Sequence, residues 1–183
     1  MSIYAPSDDS FLLQQVINEY IKNIKNKKIK ILDMCTGSAI LAQTFQKKGY
    51  ENILAVDINN QAVTNAKKQK IKAMQSNLFS KIKNKKFDLI VCNPPYLPTD
   101  PKEPIDSQLQ TTAGKKGYEL IIKFLTQAKN HLNPDGKILL LFSSLSKPKI
   151  ILSHAKNLKY EYKLLATRKL FFEELFVYEF SRK

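Results

Sequence analysis

Asn93-Pro94-Pro95-Tyr96 follows directly on the apolar run Phe87-Asp88-Leu89-Ile90-Val91-Cys92, which reads as a buried strand. The Asn93 side-chain oxygen and the Pro94 carbonyl are two acceptors suited to one NH2 group. Two consecutive prolines fix φ and remove competing backbone donors, so the acceptor pair is held rigid. The Tyr96 ring beside it offers a face on which a flat amide or base can stack. Together these groups fit methyl transfer to a planar nitrogen. The plain alternative is an ordinary Pro-rich turn.

A methyl donor is implied by two acids further up the chain. Asp33-Met34-Cys35-Thr36-Gly37-Ser38-Ala39 lies where a first strand turns into a helix, and Asp57 ends a second strand 24 residues after Asp33. In a doubly wound sheet an acid at that second strand end hydrogen-bonds a ribose hydroxyl. A diphosphate fits poorly, because the loop lacks the full G-x-G-x-x-G and carries Asp33. A cationic amino acid end fits better, its ammonium met by Asp33 or by loop carbonyls. S-adenosylmethionine has an adenosine, a ribose and such an end. On the competing structural reading, Asp33 and Asp57 only cap the helices that follow them.

The elements that must position these groups alternate strand and helix, as in a parallel sheet covered on both faces. A first helix opens at Pro6-Ser7-Asp8-Asp9-Ser10, with a capping hydroxyl and acids in its first turn. Strands are expected at Ile29–Met34, Asn52–Asp57, Ile71–Ser76 (weaker), Phe87–Cys92 and Lys137–Phe142. Helices are expected from Ser38 to Lys48, from an Asn59 cap to Lys70, and from Gly117 to Leu132. Asn133-Pro134-Asp135-Gly136 reads as a turn. Tyr160–Thr167 and Leu175–Phe180 read as an antiparallel pair closing the sheet. Residues 97–116 contain three prolines and read as a loop facing the substrate.

With 183 residues the chain has room for one domain, residues 1–183, with an N-terminal helical segment over 1–28. No apolar run reaches membrane-spanning length and no signal-peptide pattern opens the chain, so a cytoplasmic protein with no membrane partner is expected. Cys35 and Cys92, with His131 and His154, form no metal-binding pattern. If the first and fourth strands are neighbours, the two thiols approach each other near the cofactor. A net charge of +14 favours an acidic partner such as nucleic acid or a ribosome-associated protein. Against a designed patch, almost all the basic residues are lysine, and arginine occurs only at Arg168 and Arg182.

Asp33-Met34-Cys35-Thr36-Gly37-Ser38, Val56-Asp57-Ile58-Asn59 and Asn93-Pro94-Pro95-Tyr96 resemble the HemK-type protein glutamine N5-methyltransferases. The opening Tyr4-Ala5-Pro6-Ser7-Asp8-Asp9-Ser10-Phe11-Leu12-Leu13 is similar to the short archaeal and eukaryotic branch, with a Tyr-x-Pro-x-x-Asp-[Ser/Thr]-Phe-Leu segment. The resemblance implies a Rossmann-like class I methyltransferase: a mostly parallel seven-stranded sheet with a C-terminal antiparallel pair. It implies no room for the helical recognition domain of longer bacterial enzymes. It implies the glutamine of a Gly-Gly-Gln motif in a class I peptide release factor as acceptor. A small zinc-binding activator subunit covering a hydrophobic sheet edge is the implied partner. Carried over by matching position, Ser10, Asp33, Cys35, Gly37, Asp57, Asn77 and Leu78 line the cofactor pocket. Asn93, Pro94 and Tyr96 hold the target amide.

Cys35 and Ala39 stand where the family has glycines, and Asn77 where it has an acid near the adenine amino group. Residues 111–119 lack the family's paired glycines. Two rivals remain at this stage. One is an amine methyltransferase acting on adenine N6 or a guanine amine of RNA or DNA, which uses the same Asn-Pro-Pro-Tyr chemistry. The other is a methyltransferase-like fold kept as a scaffold.

Overall fold

The computed structural model describes residues 3–102, 104, 108 and 110–183. In chain order the elements are α1 (Asp8–Tyr20), β1 (Ile31–Met34), α2 (Ile40–Lys47), β2 (Ile53–Asp57), α3 (Asn60–Lys68) and β3 (Ala73–Gln75). They continue with β4 (Phe87–Cys92), α4 (Glu119–Ala128), β5 (Leu132–Ser143), α5 (Pro148–Asn157), β6 (Tyr160–Lys169) and β7 (Glu174–Arg182). One seven-stranded sheet runs β3-β2-β1-β4-β5-β7-β6. The first five strands are parallel, and β7 pairs antiparallel with both β5 and β6. The expected fold class is the observed one.

The central strands are apolar because both faces of the sheet are covered. On one face Leu13, Ile17, Phe45, Val63 and Ala66, from α1, α2 and α3, pack on Ile31, Ala55, Leu89 and Val91. On the other, Ile121, Phe124 and Leu125 of α4 and Ile151 and Ala155 of α5 pack on Leu32, Met34, Ile90 and Cys92. Alternate residues of one strand therefore feed two cores. Met34 lies opposite Val56 on one side and Cys92 on the other, so β1, β2 and β4 end level. The chain turns to opposite sides of the sheet between β1 and β4, and a crevice opens there at the strands' carboxyl ends. β1 and β4 are neighbours, as the thiol expectation required.

Several boundaries differ from expectation, each for a local reason. Ser7 occupies the N-cap of α1, but its hydroxyl makes no cap bond; Asp8 and Asp9 supply the first-turn acids. Asn59 does cap α3, accepting from the Gln61 N–H at 2.9 Å. α4 stops at Ala128, and residues 129–131 continue as a tighter 3-10 turn before β5. α5 lies where no element was expected, although Pro148 at its first turn and the buried pair Ile151 and Ala155 are helical signals. Part of the 97–116 segment lies outside the described residues. Elsewhere in it Leu97 forms a parallel bridge with Thr112, so it is not wholly irregular.

Asn133-Pro134-Asp135-Gly136 does not end the strand as a turn would; it is an excursion inside β5. Phe87 pairs with Leu132 and Leu89 with Lys137, so the single residue Asp88 faces the four residues 133–136. Asp88 accepts the Asn133 side-chain N–H at 2.6 Å and the Lys30 backbone N–H at 2.7 Å. Gly136 is required by close approach, since a Cβ there meets Leu132 Cγ at 2.8 Å and the Phe87 carbonyl oxygen at 2.9 Å. Gly136→Ala is expected to destabilise the domain by about 1–3 kcal/mol in urea unfolding, because a backbone carbonyl cannot yield as a side chain does. An unchanged midpoint would show that this bulge adjusts freely.

Candidate active site

The loop leaving β1 is tightly wound. Cys35, Gly37 and Ala39 all have positive φ, at 60°, 50° and 67°. Two of these three residues carry a Cβ, which disfavours the left-handed region by about 1–2 kcal/mol. The conformation is held by bonds to both acids. Asp33 Oδ2 accepts from the Thr36 hydroxyl at 2.5 Å and the Ala42 N–H at 3.1 Å. Asp57 Oδ2 accepts from the Gly37 N–H at 2.9 Å, and its Oδ1 from the Asn59 N–H at 2.8 Å. The Thr36 N–H reaches the Val56 carbonyl of β2 at 3.0 Å.

A cavity of about 560 Å³ opens above this loop and runs to the Asn-Pro-Pro-Tyr turn. Ser10, Cys35, Gly37, Asp57, Asn77, Leu78, Asn93, Pro94 and Tyr96 all line it. Asp33 does not: it is fully buried beneath the loop. Its Oδ2 is tied to the loop and to α2 through Thr36 and Ala42, and its Oδ1 is buried without a hydrogen-bond partner. The size lies within the range of small-molecule sites, and a Cβ at Gly37 would meet nothing within 4 Å, which leaves open space over the loop. The donor set therefore fits a nucleoside with an amino acid tail. The Cys92 thiol, buried beside Cys35, is pushed up by burial and then by Cys35 and Asp33.

At the other end of the cavity, Asn93 is fixed by a partner that the strand pattern did not reveal. Its side-chain N–H donates to Asp9 Oδ2 at 3.1 Å. The Tyr96 and Tyr4 hydroxyls also point at Asp9, each at 3.3 Å. Asn93 Oδ1 is buried and has no hydrogen-bond partner, and so are Thr112 Oγ1 and Glu173 Oε2 on the same wall. Tyr96 is pinned through its backbone: its N–H reaches the Thr111 carbonyl at 3.0 Å, and its carbonyl accepts from the Ser146 hydroxyl at 2.7 Å. Gly117, at φ +83°, sits so close that a Cβ would lie 3.0 Å from the Tyr96 carbonyl and 2.9 Å from the Pro98 nitrogen. Burial, then Asp9, raises the phenol of Tyr96, and the same causes bring Tyr4 to about 12. Both hydroxyls are donors at neutral pH. Asp9 and Tyr4 lay within the opening motif, but nothing in their local spacing assigned them to the acceptor end.

Charge is segregated. Among the described residues, the charged ones on the wall of this cavity are Asp8, Asp9, Asp57 and Glu173, with no lysine or arginine. A second and larger cavity of about 960 Å³, lined by Lys30, Lys70, Lys72, Lys85 and Lys86 with Glu51, contains none of the site residues. Size does not identify the active crevice here; the convergent polar atoms do.

Burial lifts Asp33 from 3.8 to about 7, opposed by its bonds from Thr36 and Ala42 and reinforced by Asp57. Because its folded value is the higher one, Asp33 binds a proton more tightly folded than unfolded, and its contribution is lost as pH rises from about 4 to about 7. Asp33→Asn, read by thermal melting of the ligand-free protein, should gain stability relative to the parent over that window. A stability difference that stays flat from pH 4 to 8 would contradict this assignment.

The methyltransferase small domain model matches residues 10–163. A Methanocaldococcus jannaschii protein named provisionally as a protein N5-glutamine methyltransferase is 36% identical over 96% of this chain and 89% of its own length. The release factor glutamine methyltransferase of Lactococcus lactis is 30% identical over 69% of this chain, which spans about half (52%) of that enzyme. Among solved structures, the Mtq2–Trm112 complex of E. cuniculi, responsible for methylation of the eRF1 termination factor, superposes with a TM-score of 0.80 over 100% of both chains at 22% identity. No helix among the described residues is long and apolar enough to cross a membrane. The chain belongs to the methyltransferase small domain family, as an S-adenosylmethionine-dependent methyltransferase related to the protein N5-glutamine methyltransferases.

Proposed function

We propose that this chain methylates the side-chain amide nitrogen of a protein glutamine, that of the Gly-Gly-Gln motif in a class I peptide release factor. One observation carries the reading. The acceptor end of the cavity holds a buried, unpaired Asn93 Oδ1 within a wall whose charges, among the described residues, are all acidic. An amide N–H satisfies that oxygen, whereas a nucleic acid would bring phosphates against Asp8, Asp9 and Glu173. The names of the M. jannaschii and L. lactis relatives and of the E. cuniculi complex support the same acceptor class.

S-adenosylmethionine, when bound, supplies an electrophilic sulfonium methyl. Asp57 is assigned to the ribose hydroxyls, Asn77 and Leu78 to the adenine, and Ser10, Cys35 and Gly37 to the methionine end. Asp33 acts through the loop it holds. Asn93 Oδ1 and the Pro94 carbonyl accept the two N–H groups of the glutamine amide, and the Tyr96 ring packs on its plane. An amide nitrogen is a weak nucleophile, so most of the acceleration falls to positioning, for which well-oriented groups supply up to ~7–11 kcal/mol. After transfer the methylated nitrogen gives up one proton to water, the Asn93 oxygen holding that N–H until it leaves. A small zinc-binding activator completes the enzyme by covering an open edge of the sheet. The edges are β3 and β6, and β6 exposes Tyr162 and Leu164. A cytoplasmic, translation-linked protein, close to ribosomes or to tRNA-like factors, fits this role.

Asn93→Ala should lower methyl transfer to a recombinant release factor at least 100-fold while calorimetry still detects S-adenosylmethionine binding. Turnover retained in that variant, or label appearing only in RNA or DNA, would refute the assignment. Co-expression with the activator subunit is expected to raise soluble yield several-fold. Full solubility and activity of the isolated chain would remove the need for that partner.

A further inference from the structure

Asp9 is buried in the first turn of α1 and lines the cavity at its acceptor end. Its Oδ2 accepts from Asn93 Nδ2 at 3.1 Å and from the Tyr96 hydroxyl at 3.3 Å. Its Oδ1 accepts from the Ser10 backbone N–H at 2.5 Å and the Ser10 hydroxyl at 3.1 Å. The Tyr4 hydroxyl lies 3.3 Å from both oxygens. Five donor groups thus hold one carboxylate in place, and that carboxylate in turn constrains Asn93.

A carboxylate only accepts, and a primary amide has a donor end and an acceptor end of nearly equal shape. Facing Asp9, Asn93 must present its NH2, which leaves Oδ1 turned the other way. That oxygen is the buried atom without a partner on the cavity wall. If the amide were reversed, its two N–H groups would confront the N–H groups of an incoming amide, and the acceptor site would repel its ligand. We propose that Asp9 is a positioning residue that locks the Asn93 amide with its oxygen toward the acceptor and holds the Tyr96 ring beside it. This rests on the acceptor being an amide or amine nitrogen. It adds that selection of that nitrogen is made by a residue on α1, 84 positions from Asn93.

Asp9→Asn keeps the shape and removes the obligation, because an asparagine at 9 can donate to Asn93 Oδ1 as readily as accept from its NH2. The Asn93 side-chain NH2 resonances, assigned by their disappearance in Asn93→Ala, report the lock without any acceptor present. In the parent protein these protons should exchange with solvent at least ~10-fold more slowly than in Asp9→Asn. With tritiated S-adenosylmethionine and recombinant release factor, Asp9→Asn should reduce kcat by about 10- to 100-fold, a larger change than in the affinity for S-adenosylmethionine, whose site Asp9 touches only through Ser10. Fast exchange of the Asn93 NH2 in the parent protein overturns the proposal, and that measurement stands even if the variant fails to fold. So does a variant with parental kcat. Slow exchange in a parent protein that transfers no methyl group to release factor would sustain Asp9 and refute the acceptor assigned above.

Discussion

Two buried carboxylates hold the tight turn after β1, and the rest of the site hangs from that turn. Asp33 grips it from below through Thr36 and Ala42, and Asp57 from the side through Gly37. Without them a loop with Cys35 and Ala39 in left-handed conformation would relax toward ordinary backbone angles. Neither acid is comfortable there. Burial raises both above the ordinary aspartate range, so each is tolerated for what it positions. Asp33 lies on β1 and Asp57 on β2, and the parallel register sets these strands side by side. The sheet thus fixes the acids, and the acids fix the turn.

The same logic governs the acceptor end, with a different source of rigidity. Pro94 and Pro95 restrict the backbone, and Thr111, Ser146 and Gly117 close around Tyr96. Asp9 then decides which way Asn93 faces. On the proposed assignment cofactor and acceptor meet in one cavity, and the Asp9–Ser10 bonds tie its two ends together. Among the described residues no lysine lines either end. The net charge of +14, which taken alone favours a nucleic acid acceptor, resides away from a crevice whose own charges are acidic.

What was legible in the sequence follows from range. Asp57 at a strand end, Asn59 as a helix cap and Asn93 before two prolines act through neighbours in sequence or through strand ends, and each was readable from spacing. The sheet order and antiparallel closing pair followed from the strand–helix alternation and the family pattern. Asp33 is legible as a strand-end acid, but spacing does not say which side of a loop a carboxylate supports. Asn133-Pro134-Asp135-Gly136 carries every local mark of a turn, yet it is overruled by the pairing of β5 with β4 on both sides of it. Asp9 was hidden because its partners are Asn93 and Tyr96, more than 80 positions away.

Arg168, on β6, reaches across to the Asp8 side chain at 3.2 Å, a contact between residues 160 positions apart. With Glu173 on the cavity wall, it brings the β6–β7 hairpin against the start of α1. The acceptor end is thus assembled from the two ends of the chain, and closing so long a loop carries an entropic cost. The same elements serve the core: α1 buries Leu13 and Ile17 on the sheet, and β7 buries Leu175 and Val177 there. Acceptor competence is therefore tied to the packing of both chain ends: loosening α1 or the β6–β7 hairpin costs the acceptor site and part of the core together.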